Sequence, residues 1–184
     1  MPTYETFGRG CEFLEFQFEK FINQTFKDFE VVISDHSNNS DIKKLCERYS
    51  DKLSIVYIHN PLQRGSLSHN TNNAINNCKR KIIKILFQDD FLFDEEITSG
   101  VNTIGNPSVV AFRNLEDNVL FDEKMTWTVD LDYYKRMHNR HGVPKVIEDT
   151  IVVIRIWDRQ LTNLIPHGIK QKEEKIIRDR YAKT

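Results

Sequence analysis

The sequence predicts an α/β domain: a largely parallel sheet with helices on its faces. Short apolar, β-branched runs alternate with helical stretches through the first half. Two of those runs end in polar, acid-bearing clusters, where open parallel sheets place ligands. The 184 residues fit one domain, and 39% hydrophobic against 29% charged residues is the balance of a soluble globular chain.

Taken in order, the first element is an amphipathic helix from about Cys11 to Gln24. Aromatics at 13, 16, 18, 21 and 26 fall among polar residues, several at spacings of three or four. Glu30 to Ser34 is a β-branched run that reads as a buried strand, and it leads into the polar loop Asp35 to Ser40. Ser40 or Asp41 then caps a helix reaching about Tyr49. Leu53 to Ile58 is the second strand. Pro61 and Gly65 mark a loop from His59 to His69. A helix over Asn70 to Cys78 precedes a third strand, Lys81 to Phe87, that ends on Gln88-Asp89-Asp90. In the second half, Ser108 to Phe112 is a strand after the Gly105-Asn106-Pro107 turn. Val129 to His141 is a helix stopped by Gly142-Val143-Pro144. Ile147 to Ile156 contains a strand. Gly168 to Tyr181 is a surface helix with one narrow apolar stripe, its charges solvated.

Composition excludes several classes. Lys and Arg number 26 against 27 Asp and Glu, so no net charge draws the chain to nucleic acid or an anionic membrane. Cys11, Cys46 and Cys78 are odd in number and widely spaced, which argues against a disulfide or zinc framework and for a reducing compartment. The first residues do not read as a signal peptide, and no apolar run nears the roughly 20 residues that span a bilayer. A cytoplasmic protein without a membrane span is expected.

Chemistry concentrates at a few positions. Asp89 and Asp90 repel as neighbours at a strand end, and a divalent cation would relieve them. Asp35 sits where a carboxylate accepts hydrogen bonds from a ligand. Asp130 and Asp132 open a helix, where the dipole favours acids; one of them could serve as a general base. The six histidines show no i,i+4 metal spacing and read as surface or satisfied residues. Trp127 and Trp157 read as core residues or as platforms for a sugar. No GxxxxGK[ST] or GxSxG occurs.

These residues, in this order, resemble family 2 glycosyltransferases with the GT-A (Rossmann-like) fold. The matching stretches are Pro2 to Tyr4, Gln24 to Ser37, Arg64-Gly65, Asn72 to Ile75, Ile85 to Asp90, Trp127 to Met137 and Thr150 to Arg155. The run QTFKDFEVVISD is the most specific. The resemblance implies a single, reduced GT-A domain over residues 1–184. It would move a sugar from a nucleotide-sugar donor (UDP-, GDP- or dTDP-linked) to a hydroxyl of a glycan or other acceptor, with inversion. Thr3, Tyr4, Glu5, Asp35 and Arg64 would bind the nucleotide. Asp89 and Asp90 would hold Mn²⁺ or Mg²⁺ and the diphosphate, and Asp130 would be the base. Arg155 would touch phosphate.

Three departures accompany it. The family's first strand is expected to be missing from the sequence, Phe87 stands at the first acid of the D-x-D motif, and Trp157 stands at the late histidine. They leave open a second reading, a degenerate module that binds a nucleotide or assists a partner. Homo-oligomerisation could restore a missing wall.

Overall fold

Residues 1–5, 8–92, 106–146 and 152–182 are described by a computed structural model. Strand β1 (Pro2–Thr3) runs parallel to β2 (Val31–Asp35), with Pro2 opposite Ser34 and Thr3 opposite Asp35. A two-residue strand thus stands beside β2, a correction to the expectation that the family's first strand is missing. Between β1 and β2 lies helix α1 (Gly10–Asn23). Its buried positions Phe13, Leu14, Gln17, Phe18 and Phe21 recur at helical spacing and turn one face inward.

All five residues of β2 are buried, as a β-branched run covered on both faces should be. Helix α2 (Asp41–Tyr49) follows, then β3 (Ile55–His59), parallel to β2 in register Val31↔Ile55 to Asp35↔His59. Ser40 stands at the N-cap of α2 but its side chain makes no capping bond; the Asn39 side chain accepts from the Asp41 N–H at 3.3 Å instead.

Helix α3 (Leu67–Asn76) begins three residues earlier than expected, with Ser66 capping the His69 N–H at 3.2 Å. Its asparagines, poor helix formers, are brackets. Asn70 donates to the Thr3 carbonyl (3.1 Å) and accepts from the Ser34 hydroxyl (2.6 Å). Asn72 pairs with both the N–H (2.7 Å) and the carbonyl (2.9 Å) of Phe121.

Strand β4 (Ile82–Lys84) is shorter than expected. It pairs antiparallel with β6 (Ala111–Arg113), not with the three-stranded parallel sheet β1-β2-β3. Between them lie β5 (Phe91–Leu92) and a short 3₁₀ turn, Pro107–Val109, which takes the first residues of the strand expected at Ser108. Helix α4 (Val129–His141) matches its expected bounds. Strand β7 (Val152–Val153) pairs antiparallel with β5; the expected segment's residues 147–151 lie outside the described residues, as does Gly105. Helices α5 (Leu161–Leu164) and α6 (His167–Tyr181) close the chain.

Two apolar cores result. One joins α1, α2 and β2 around Leu14, Phe18, Ile33, Ile42 and Leu45. The other joins α3, β4 and α4 around Ile75, Ile83, Ile85, Val129 and Tyr133, whose ring stacks on Phe121 at 4.2 Å. Ile176 and Ile177 of α6 pack on this second core. Among the described residues no helix is long and apolar enough to cross a membrane.

Candidate active site

A cavity of about 630 Å³ opens at the carboxyl ends of β1 and β2. Thr3, Tyr4, His36 and Gly65 line one part of it, Phe87 to Asp90 another, and Thr126 to Leu131 a third. Trp157, Arg159 and Leu161 complete its wall. Open α/β sheets place their ligands beyond the carboxyl ends of the strands.

The end of β1 is held from several directions. Thr3 is buried and its hydroxyl donates to the Ser34 carbonyl at 3.2 Å. Gln88 grips both backbone groups of Tyr4, accepting from its N–H at 2.8 Å and donating to its carbonyl at 2.9 Å. The Glu5 carboxylate turns to the start of α1 and accepts from the Gly10 (3.2 Å) and Cys11 (2.7 Å) N–H groups, where the helix dipole favours an anion. A Cβ on Gly10 would lie 2.8 Å from the Tyr4 carbonyl oxygen, so this helix start leaves no room for a side chain.

Asp35 is 0% exposed. Its carboxylate accepts from the Ser37 N–H (2.9 Å), the Ser37 hydroxyl (2.5 Å) and the Tyr57 hydroxyl (2.9 Å). Burial, then this carboxylate, push Tyr57 well above the usual phenol range. Arg64 donates to the Asn38 side chain and, at 3.5 Å, to the Ser37 carbonyl. Thr3 and Tyr4 thus reach the cavity directly. Glu5, Asp35 and Arg64 stand behind it and brace the loops that frame it.

The acidic pair diverges. Asp90 is 1% exposed and accepts from the Asn106 side chain at 2.8 Å. Burial raises its pKa, the Asp89 charge adds to this, and Ser108 and Asn106 oppose. Behind it, burial lowers Lys84 to about 8 while Asp90 pulls the other way. Asp89 faces Trp157, whose indole N–H donates to its carboxylate at 3.3 Å. Arg155 donates to the Asp89 carbonyl at 3.2 Å and lies over the Phe13 ring at 4.5 Å, so its guanidinium is engaged by an aromatic cluster; Arg159 is the arginine on the cavity wall.

Asp130 and Asp132, two residues apart, separate completely. Asp130 lines the cavity, and burial raises its pKa, with the Leu131 N–H (2.9 Å) opposing. Asp132 points inward at 0% exposure and takes Arg136 (2.7 Å), Arg180 (2.5 Å) and Tyr181 (2.6 Å). Burial works upward on it, but Tyr181, Arg136 and Arg180 win and lower its pKa.

Two residues emerge that sequence reasoning passed over. Glu173 of α6, 5% exposed, accepts from the N–H groups of Thr126 (2.8 Å), Trp127 (2.7 Å) and Thr128 (3.0 Å). The charges of α6 are therefore not all solvated. Positions 173, 176, 177, 180 and 181 recur at i, i+3, i+4, i+7 and i+8, one helical face. That spacing was the available signal, hidden because two of its members are charged. His36 is the other: only 2% exposed, it lines the cavity and accepts the Gly65 N–H at Nδ1 (3.3 Å), so it is not a surface histidine.

The sequence profile described as glycosyl transferase family 2 matches residues 1–159. A Methanocaldococcus jannaschii protein described as an uncharacterized glycosyltransferase is 27% identical over 131 residues, 69% of this chain and 40% of its own length. A Rickettsia prowazekii protein of the same description is 23% identical over 127 residues, 67% of this chain and 36% of its own. The chain thus spans about two-fifths of the length of these relatives. No solved structure matches. With the parallel strand ends, the cavity beyond them and the profile in agreement, the chain belongs to glycosyl transferase family 2 and has its GT-A fold.

Proposed function

We propose that the cavity binds a nucleotide-sugar donor and that the chain transfers its sugar, with inversion, to an acceptor hydroxyl. The observation that carries this is that Asp130, Asp89, Thr3 and Tyr4 all line one cavity. In the reaction the Asp130 carboxylate takes the proton of the acceptor hydroxyl. The freed oxygen forms a bond to the anomeric carbon. The bond from that carbon to the diphosphate oxygen breaks, and its electron pair leaves with the nucleoside diphosphate. Burial of Asp130 raises its proton affinity above that of an ordinary carboxylate, which suits a base. Thr3 and Tyr4 contact the nucleotide, while Glu5, Asp35 and Arg64 hold the loops that shape its pocket. The three cysteines are free thiols, which supports a reducing, cytoplasmic setting.

The donor set bears on a cation. Among the described residues no group of three His, Cys, Asp or Glu side chains could hold a metal ion. Asp90 is engaged by Asn106, and the Trp157 indole is a donor that cannot ligate. One carboxylate, Asp89, remains. Mg²⁺ or Mn²⁺ fits there only as an ion brought in with the diphosphate, since Mg²⁺ commonly takes one or two carboxylates plus substrate phosphates. Once bound, such an ion offsets the charge of the leaving diphosphate.

A thermal-shift panel of UDP-, GDP- and dTDP-sugars, each with and without Mn²⁺, tests the reading. At one hundred times its dissociation constant, a bound donor adds about 2.7 kcal/mol. For a chain of this size that raises Tm by roughly 5–10 °C. Mn²⁺ alone leaves Tm in place. If no donor shifts Tm under either condition, the reading fails. The Trp157–Asp89 hydrogen bond favours a second reading, a module that binds the nucleotide without transferring the sugar. A Tm shift with no diphosphate released across a panel of acceptors would favour it.

A further inference from the structure

The turn that carries the acid pair is tied to α1. Beyond the end of β4 the backbone of Phe87 and Gln88 leaves the strand ladder, and side chains take over its pairing. The Phe87 N–H donates to the Ser108 hydroxyl at 2.9 Å. Gln17 of α1 donates its Nε2 amide to two successive carbonyls, those of Phe87 at 2.8 Å and Gln88 at 2.7 Å. The next carbonyl, that of Asp89, accepts from Arg155, whose guanidinium rests on Phe13, one turn before Gln17 on the same helix.

Gln17 sits in the buried face of α1 with Phe13, Leu14, Phe18 and Phe21, at 1% exposure. Glutamine is mostly a surface residue, and an apolar side chain would serve the packing of this face. Only the NH₂ end of its amide can serve two carbonyls, and its Oε1 is buried with no hydrogen-bond partner among the described residues. The two donated bonds therefore account for a glutamine at this position. The Gln88 side chain carries the connection onward. It closes on both backbone groups of Tyr4, as a neighbouring strand would, although β4 does not pair with β1. Gln17, the Gln88 backbone, the Gln88 side chain and Tyr4 thus form one line. Tyr4, Gln88 and Asp89 line the cavity and Gln17 does not.

We propose that Gln17 is a positioning residue for the donor: acting through Gln88, it fixes the spacing between the Thr3–Tyr4 surface and the Asp89 turn. This rests on the reading that the cavity takes a nucleotide. A nucleoside touches the first surface alone, whereas a nucleoside diphosphate spans both.

Calorimetric titration of UDP, GDP and dTDP with Mn²⁺, and NMR titration of uridine, guanosine and thymidine, test it in wild type, Gln17→Leu, Gln88→Ala and the double variant. Gln17→Leu should bind the best nucleoside diphosphate about 10- to 100-fold more weakly, the range for residues that orient a ligating group. It should bind the matching nucleoside within about twofold of wild type. The losses of the two single variants should not add in the double variant, because both act through one turn. Wild-type affinity of Gln17→Leu for the diphosphate, equal weakening of nucleoside and diphosphate, or additive losses overturns the inference alone. No binding of any nucleotide by wild type overturns it together with the reading beneath it. Should Gln17→Leu lose its fold, NMR of wild type decides: the Gln17 side-chain amide resonances should shift when the best nucleoside diphosphate is added, and fixed resonances refute the link.

Discussion

Asp130 and Asp132 share one helical turn, yet burial and partners drive their carboxyl groups in opposite directions. Asp130 is partly desolvated beside the cavity with few donors, so its pKa rises. Asp132 is wholly buried among two guanidiniums and a phenol, so its pKa falls. Only the first lines the cavity with a raised proton affinity, as the proposed base role requires. Asp130→Asn should cut transfer by about 10²- to 10⁴-fold while leaving nucleotide affinity within about twofold. In wild type the acidic limb of kcat/KM against pH should lie above the usual carboxylate range, with activity lost as pH falls through it. Transfer that survives in Asp130→Asn would remove the residue from that role. Sequence spacing placed both acids on the helix start; it did not separate them, because the separation depends on Arg180 and Tyr181, nearly fifty residues away.

At the scale of elements, α6 acts as a clamp on the start of α4. Glu173 gives one carboxylate to three consecutive N–H groups of the loop that enters α4, the last of them that of Thr128 at the helix N-cap, which a helix start leaves without an intrahelical partner. Lys170 adds its ammonium over the Trp127 ring at 4.3 Å. All of this helix lies beyond the residues matched by the family profile, yet it holds the segment that leads to Asp130. Glu173→Gln should therefore lower stability by about 2–3 kcal/mol, since bonds to a charged acceptor are the stronger kind. Hydrogen exchange should speed up at the Thr126, Trp127 and Thr128 amides. Unchanged exchange at these three sites would refute the clamp. The helix itself was legible from its charge pattern and nearly to its bounds. Its buried acid was not, because a carboxylate on a charge-rich helix is normally solvated and only the docked loop supplies its donors.

Across the whole molecule, the Asp132 cluster ties α4 to the end of the chain. Asp132→Asn should cost about 2–3 kcal/mol at pH 7, measured by urea denaturation. The sign follows from the lowered pKa: the stabilisation is present above the ordinary carboxylate value of about 3.9 and fades as pH falls through the folded value. The gap between variant and wild type should therefore narrow below about pH 4. A constant gap across that range would count against the ionised cluster.

By itself the sequence determined the alternation of helices and strands, the bounds of α4, the burial of the β2 run and the family. These are carried by local periodicity and by motifs that lie close in the chain. Only the tertiary structure decided that β4 pairs antiparallel with β6, that Asp90 turns inward while Asp89 meets Trp157, and that His36 is buried at the cavity with the Gly65 N–H on its Nδ1. Strand partners, burial and donors from distant residues set those outcomes, and none of these is encoded in the spacing of neighbours along the chain.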